Sequence, residues 1–357
     1  MHLGGIALGG LVWEGAPVAA QSRANRESAA ALLGRVAAFD LHTHPGALFG
    51  RGSDGYGGDG GVAARFRDMV DGRLAGAFVS LVADRKILHI GPPGPRATRT
   101  FDEGEAWLDY RQQIADLREL LAQAPAREAT GPADLPAAPG AEIAAFIAVE
   151  GGDCLDGRVD RVEGLYADGV RSLQLVHYAP NAIGDLQTET PVHAGLSAFG
   201  HQVVAEMERF GMVIDVAHAS LETVRAVAEQ TATPLLLSHS QLQTGDNRHP
   251  RLITTEHAEV VAGSGGVIGM WPSGIGNESF EDFVDHTRRL VDLVGIEHVG
   301  LGTDMDANYM PVFDNYGQLV DWTAGLLGTG LSEEEVGKLT GGNAQRLLTS
   351  VLRQEDF

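Results

Sequence analysis

Eight short apolar runs, at 38–42, 76–83, 143–149, 172–176, 212–217, 234–237, 266–271 and 298–302, alternate with stretches of helical spacing at 27–36, 62–73, 103–123, 159–167, 195–210, 221–230, 254–262 and 280–294. Strands of near-continuous apolar character separated by helices are the pattern of a parallel sheet covered on both faces. Eight of them predict a closed (β/α)8 TIM barrel, with a doubly wound open sheet as the competing topology. A chain of 357 residues, 44% of them hydrophobic, can bury a core of that size.

The placement of chemically able side chains separates the two topologies. His42 and His44 end the first strand, Glu150 the third, His177 the fourth, His218 the fifth, His239 the sixth and Asp304 the eighth. In a closed sheet these residues converge at one mouth, whereas in an open sheet they spread along an edge. Residues i and i+2 of a strand point the same way, so His42 and His44 present two imidazoles together. A lone His-x-His is equally compatible with a polar turn after a buried strand. Several imidazoles at equivalent strand ends, with Glu150 among them, match the needs of two divalent cations sharing one carboxylate. Zinc is the first choice, and ligand type alone leaves nickel, manganese, cobalt and iron open.

Two such ions would acidify a bridging water and supply hydroxide for attack on a carbonyl. Asp304, with Asp306 as its rival, would take the proton of the water and pass it to a leaving nitrogen. His177, if it binds no metal, would polarise the carbonyl oxygen. Arg251 in His249-Pro-Arg251 would grip a substrate carboxylate, with a solvated surface arginine as the alternative.

The charge of −22, from 26 basic and 48 acidic residues, leaves no basic stripe for a nucleic acid or an anionic membrane. The single cysteine, Cys154, excludes an intrachain disulfide and a thiolate cluster, and reads as a small buried residue. No run after Gln21 is long and apolar enough for an integral membrane span. Residues 1–21 read as a leader: Ile6 to Trp13 is apolar and Pro17 to Gln21 offers a small-residue cleavage site. A cleaved leader would mean export to the periplasm or medium, and without cleavage the protein would be cytoplasmic; residues 22–357 form the single barrel domain. The glycine-rich loop 46–61 and the loop 84–100 should cover the site and set substrate preference.

Taken together, several motifs give the chain a resemblance to the renal (membrane) dipeptidase family of metallopeptidases, within the amidohydrolase-like barrels. They are Glu150-Gly-Gly152, Leu165 through His177, Gly195-Leu-Ser-Ala-Phe-Gly200, Gly211 through Ser220, Ser238-His-Ser240, His249-Pro-Arg251, Gly300 through Asp306 and Gly341-Gly-Asn343, in family order over residues 38–348. The resemblance implies a binuclear zinc site with Glu150 bridging, one ion completed by His42 and His44 and the other by His218 and His239. It also implies substrate contacts from His177, Arg251 and Asp304, a homodimer, and hydrolysis of dipeptides, including those with a C-terminal D-residue.

Three departures stand out. The family's first motif reads His-x-Asp where this chain has His42-Thr43-His44, which leaves the metals one unit more positive. The stretch from His239 to Pro250 is one residue longer than usual, which makes Arg248 an alternative to Arg251. Ala307 follows Asp306 where the family has Gly. A different amide or lactone hydrolase on the same barrel, and a non-catalytic metal- or ligand-binding barrel, are the competing expectations.

Overall fold

The computed structural model describes residues 18–353 apart from 55 and 93. The expected leader therefore lies outside the described residues up to residue 17, and the remainder opens the helix Val18–Leu33. Eight parallel strands close on themselves: β1 (Ala38–Thr43), β2 (Leu74–Val82), β3 (Ile143–Glu150), β4 (Val170–Gln174), β5 (Val213–Asp215), β6 (Leu236–Ser240), β7 (Val267–Met270) and β8 (Val299–Leu301). Each pairs with its neighbours in chain order except that β1 lies between β2 and β8, and that pairing closes the ring. The expected (β/α)8 barrel is therefore the fold.

The strands are buried along their whole length because both faces are covered. Inside, Phe39, Phe78 and Phe146 meet with ring centroids 5.5–6.0 Å apart and fill the barrel below the mouth. Leu347, Leu348 and Val351 of the helix Asn343–Val351 belong to this same inner cluster. A second apolar layer lies between the strands and the surrounding helices.

The loops turn into helices at fixed points because four side chains satisfy the first free backbone N–H groups. Ser197 accepts from Gly200 at 2.9 Å, Ser220 from Thr223 at 3.2 Å, Thr254 from His257 at 3.4 Å and Ser279 from Asp282 at 3.1 Å. The helices they start are Ala198–Phe210, Leu221–Gln230, Thr255–Gly263 and Phe280–Val294. The helix Leu221–Gln230 begins just after His218, so its cap also fixes the loop that carries this ring.

Three features depart from the sequence reading. The connector at 124–140 contains a short strand, Ala126–Glu128, that pairs with the first half of β3. Within the loop 84–100, Leu88–His89 and Arg96–Ala97 form a small antiparallel pair. After β8 the chain continues into the helices Leu319–Gly328, Glu333–Gly337 and Asn343–Val351, for which the sequence reading assigned no elements. Among the described residues no helix is long and apolar enough to cross a membrane.

Under the mouth, the backbones of β6, β7 and β8 come so close that only glycine fits. A Cβ on Gly269 or on Gly302 would fall 1.8 Å from the carbonyl oxygen of Ser238. Gly302→Ala is therefore expected to cost about 3 kcal/mol or more, read from urea denaturation, because backbone rather than a flexible side chain must yield. A loss below about 0.5 kcal/mol would contradict this packing.

Candidate metal centre

Glu150 ends β3 inside the ring, and five imidazoles surround its carboxylate. Its Oε1 lies 3.4 Å from the Nε2 atoms of His42, His177 and His218 and 3.6 Å from that of His239, while its Oε2 lies 3.3 Å from Nε2 of His44. The nitrogens also come in pairs: His42 and His44 are 3.0 Å apart at Nε2, and so are His218 and His239. All six side chains are buried.

The outer faces of the rings explain why the Nε2 atoms turn inward. His44 Nδ1 donates to the Ser80 carbonyl at 3.0 Å, which leaves a lone pair on Nε2 of the neutral ring. His42 Nδ1 sits 3.2 Å from the Ser80 hydroxyl, and His239 Nδ1 sits 3.0 Å from the Ser238 hydroxyl. Two ligand nitrogens on one ion lie about 3 to 3.5 Å apart, given metal–nitrogen bonds near 2 Å. Both nitrogen pairs have that spacing. Among the described residues, three groupings of donors are close enough for one ion: His42 with His44 and Asp304, Glu150 with His42 and His239, and Glu150 with His177 and His218.

The electrostatics agree. Burial opposes a charge on His44, but Asp304 and Glu150 outweigh it and push the His44 pKa up to about 10. A position that favours positive charge on this nitrogen favours a cation beside it equally well. Burial, with Arg251 and neighbouring imidazoles adding to it, holds His218 and His239 well below the usual histidine range, so both are neutral donors. Burial would raise the Glu150 pKa, yet the surrounding imidazoles hold it well below the usual carboxylate range. The residues present therefore fit divalent cations.

His177 differs from the other four. Its Nδ1 donates to Asp84 Oδ1 at 2.7 Å, and Asp84 also accepts from the backbone N–H groups of Tyr178 and Ala179. Burial disfavours its charge, but Asp84 and Glu150 prevail and raise its pKa. Its Nε2 faces the cluster, 3.4 Å from Glu150 Oε1. Asp84 was not singled out from the sequence; an acidic residue directly after the second apolar run was its only signal.

Asp304 follows β8 in a left-handed conformation, φ 53°, held by its N–H donating to the His42 carbonyl at 2.9 Å. One carboxylate oxygen lies 3.4 Å from Nε2 of His44 and the other accepts from the Trp271 indole at 3.2 Å. Asp306, the rival base, is committed elsewhere: Arg65 pairs with it at 2.6 Å and it accepts from the Gly46 N–H at 2.7 Å. Arg251 is buried at 1% exposure with Nη1 donating to Gln187 at 2.8 Å, whereas Arg248 is exposed. Of the two arginines, Arg248 thus lies at the surface and the buried one is Arg251. Its Nε and Nη2 have no hydrogen-bond partner.

The sequence pattern of membrane dipeptidase (peptidase family M19) matches residues 26–356. The chain belongs to the membrane dipeptidase family. Dipeptidase verJ of Clonostachys rogersoniana is 31% identical over 216 residues, 58% of this chain and 55% of that protein. Dipeptidase aclJ of Aspergillus oryzae is 32% identical over 219 residues, 58% of this chain and 52% of that protein. This member of the family thus aligns with about half the length of the curated relatives it matches. Among solved structures, the probable dipeptidase PvdM from Pseudomonas aeruginosa superposes with a TM-score of 0.77 at 20% identity, over 92% of this chain and 99% of that one. A metallopeptidase from Rhodobacter sphaeroides, liganded with a phosphinate mimic of the dipeptide L-Ala-D-Ala, gives 0.73 at 20% identity over 89% and 99%. At that identity the likeness speaks for the barrel.

Because a ligand that binds only the folded state stabilises it, a divalent ion at a thousand times its dissociation constant should add about 4 kcal/mol. Chelator-stripped protein should therefore melt lower than protein given zinc, by several degrees in a calorimetric scan. Identical melting points would contradict a metal centre at Glu150.

Proposed function

We propose that this protein is a metal-dependent dipeptidase that holds two divalent cations, zinc by first choice, and cleaves the peptide bond of dipeptides. The observation that carries the reading is the convergence of the imidazoles on the two oxygens of Glu150. His42 and His44 would hold one ion, His218 and His239 the other, with Glu150 shared. Bound there, such ions supply an acidified water and polarise an amide carbonyl.

The chain's own side chains account for the remaining needs. Asp304, fixed by the Trp271 indole, accepts a proton at the oxygen facing the cluster and delivers it to the leaving nitrogen. His177, with Asp84 behind it, donates from Nε2 to the carbonyl oxygen as negative charge develops there. Arg251, with two nitrogens unpaired in a buried site, takes the carboxylate at the end of the substrate. Family membership and the dipeptidase relatives favour this over a lactone hydrolase, and the complete donor set favours it over a barrel that has lost its chemistry. Tolerance of a C-terminal D-residue belongs to the same proposal, supported by the L-Ala-D-Ala mimic bound to the Rhodobacter sphaeroides structure.

Zinc-loaded protein should hydrolyse a panel of L-L and L-D dipeptides, followed by release of free amine. Asp304→Asn should lower kcat by roughly a hundredfold or more, as expected for loss of a general base. A zinc-loaded sample inert toward the whole panel would overturn the proposal.

A further inference from the structure

Tyr178 packs against the histidine cluster and lies close to Arg251. Its ring meets His177 edge-on with centroids 4.6 Å apart and His218 with centroids 4.9 Å apart. Asp84 fixes the backbone beneath it, accepting from the N–H groups of Tyr178 at 3.2 Å and Ala179 at 3.0 Å. The ring therefore has little freedom, although the residue is only partly buried and faces the mouth. A phenol is protonated at neutral pH and can donate as well as accept, so the hydroxyl is available as a donor.

Arg251 gives the other half of the argument. The Arg251 guanidinium lies 5.2 Å from the centroid of the Trp271 ring and spends Nη1 on Gln187. Its Nε and Nη2 remain buried without partners. Leaving a charged donor unpaired in the interior is costly, so the arrangement calls for an acceptor in the cavity. A planar carboxylate satisfies two guanidinium N–H groups at once and still has lone pairs for a phenol.

We propose that Tyr178 is a substrate-binding residue whose hydroxyl, together with the unpaired edge of Arg251, holds the free α-carboxylate of the substrate's C-terminal residue. The proposal rests on the dipeptidase reading above and deepens it. The Tyr178 ring touches the imidazoles of His177 and His218, and Arg251 is its near neighbour. A carboxylate held by both groups would lie next to the cluster, as that of a dipeptide does, about one residue of chain from its peptide bond. Longer peptides and C-terminal amides lack a carboxylate at that distance, so Tyr178 helps confine the enzyme to dipeptides.

The test uses the full chain loaded with zinc and the variant Tyr178→Phe, which keeps the ring and its contacts. One arm compares kcat/KM for a dipeptide and for its C-terminal amide. The ratio of acid to amide should fall by about tenfold or more in the variant, carried by KM of the acid, as expected for one hydrogen bond to a charged group. A second arm needs no turnover: calorimetry of N-acetylglycine against its amide, where the preference for the acid should fall by a similar factor. An unchanged preference in the arms that give signal, or equal losses for acid and amide, would overturn the assignment. If the parent hydrolyses neither compound, the dipeptidase reading fails while the calorimetric arm still decides the role of Tyr178.

Discussion

The rest of the structure is arranged around one carboxylate. Glu150 is buried at the end of β3 with imidazole nitrogens from the ends of β1, β4, β5 and β6 within 3.6 Å of its oxygens. Lone pairs turned toward one another and toward an anion repel unless positive charge lies among them. The strand ends keep this arrangement because a closed barrel allows no other meeting point for residues so far apart in the chain. A one-residue slip of any strand would turn its imidazole away.

Such a concentration of buried polar groups needs bracing, and buried aspartates provide it. Asp40 accepts from the N–H of His42 at 3.1 Å, from the N–H of Thr303 at 3.0 Å and from the Tyr316 hydroxyl at 2.6 Å, tying β1 to the chain after β8. Asp215 accepts from Ala217 at 3.0 Å and Ser238 at 3.1 Å, joining β5 to β6 on either side of His218 and His239. Asp84 does the same for the loop that carries His177 and Tyr178. Asp185 accepts from the N–H groups of Val192, His193 and Gly195 and closes the loop beyond it. These carboxylates satisfy backbone donors beside the strand ends, and the rings of His42, His44, His177 and His239 have a partner at Nδ1, whereas Nδ1 of His218 is buried without one.

Much of this was legible in the sequence because strand periodicity and chain order are local signals. The alternation of apolar runs with helical stretches marked all eight barrel strands, and two helices, Leu221–Gln230 and Phe280–Val294, begin and end where their capping serines and apolar spacing place them. His42, His44, Glu150, His177, His218, His239 and Asp304 were identifiable because each closes an apolar run. The bracing residues were not. Asp40, Asp84 and Asp215 look like ordinary polar interruptions until the partners they reach, 263 residues away for Asp40 and Thr303, are seen in space. The short strand Ala126–Glu128 was equally hidden, since a three-residue strand beside proline carries no periodicity. Arg248 and Arg251 could be separated only by burial, which depends on the turn at His249 and Pro250 rather than on spacing.

The departure at His44 gains meaning from its surroundings. An imidazole there brings none of the negative charge of an aspartate, and Asp304 stands 3.4 Å from its Nε2. Glu150, Asp84 and Asp304 are buried at or beside the strand ends, whereas burial, with Asp84 beside it, pushes the Asp153 pKa up to about 8, and burial also raises those of Asp40 and Asp215, so these three favour the neutral form. Two cations, one on either side of Glu150, would offset the charge that remains there. Anomalous diffraction from zinc-soaked crystals tests this arrangement most directly. Two peaks flanking the Glu150 side chain, one beside His42 and His44 and the other beside His218 and His239, are the predicted result; a single peak, or none within reach of Glu150, would contradict it.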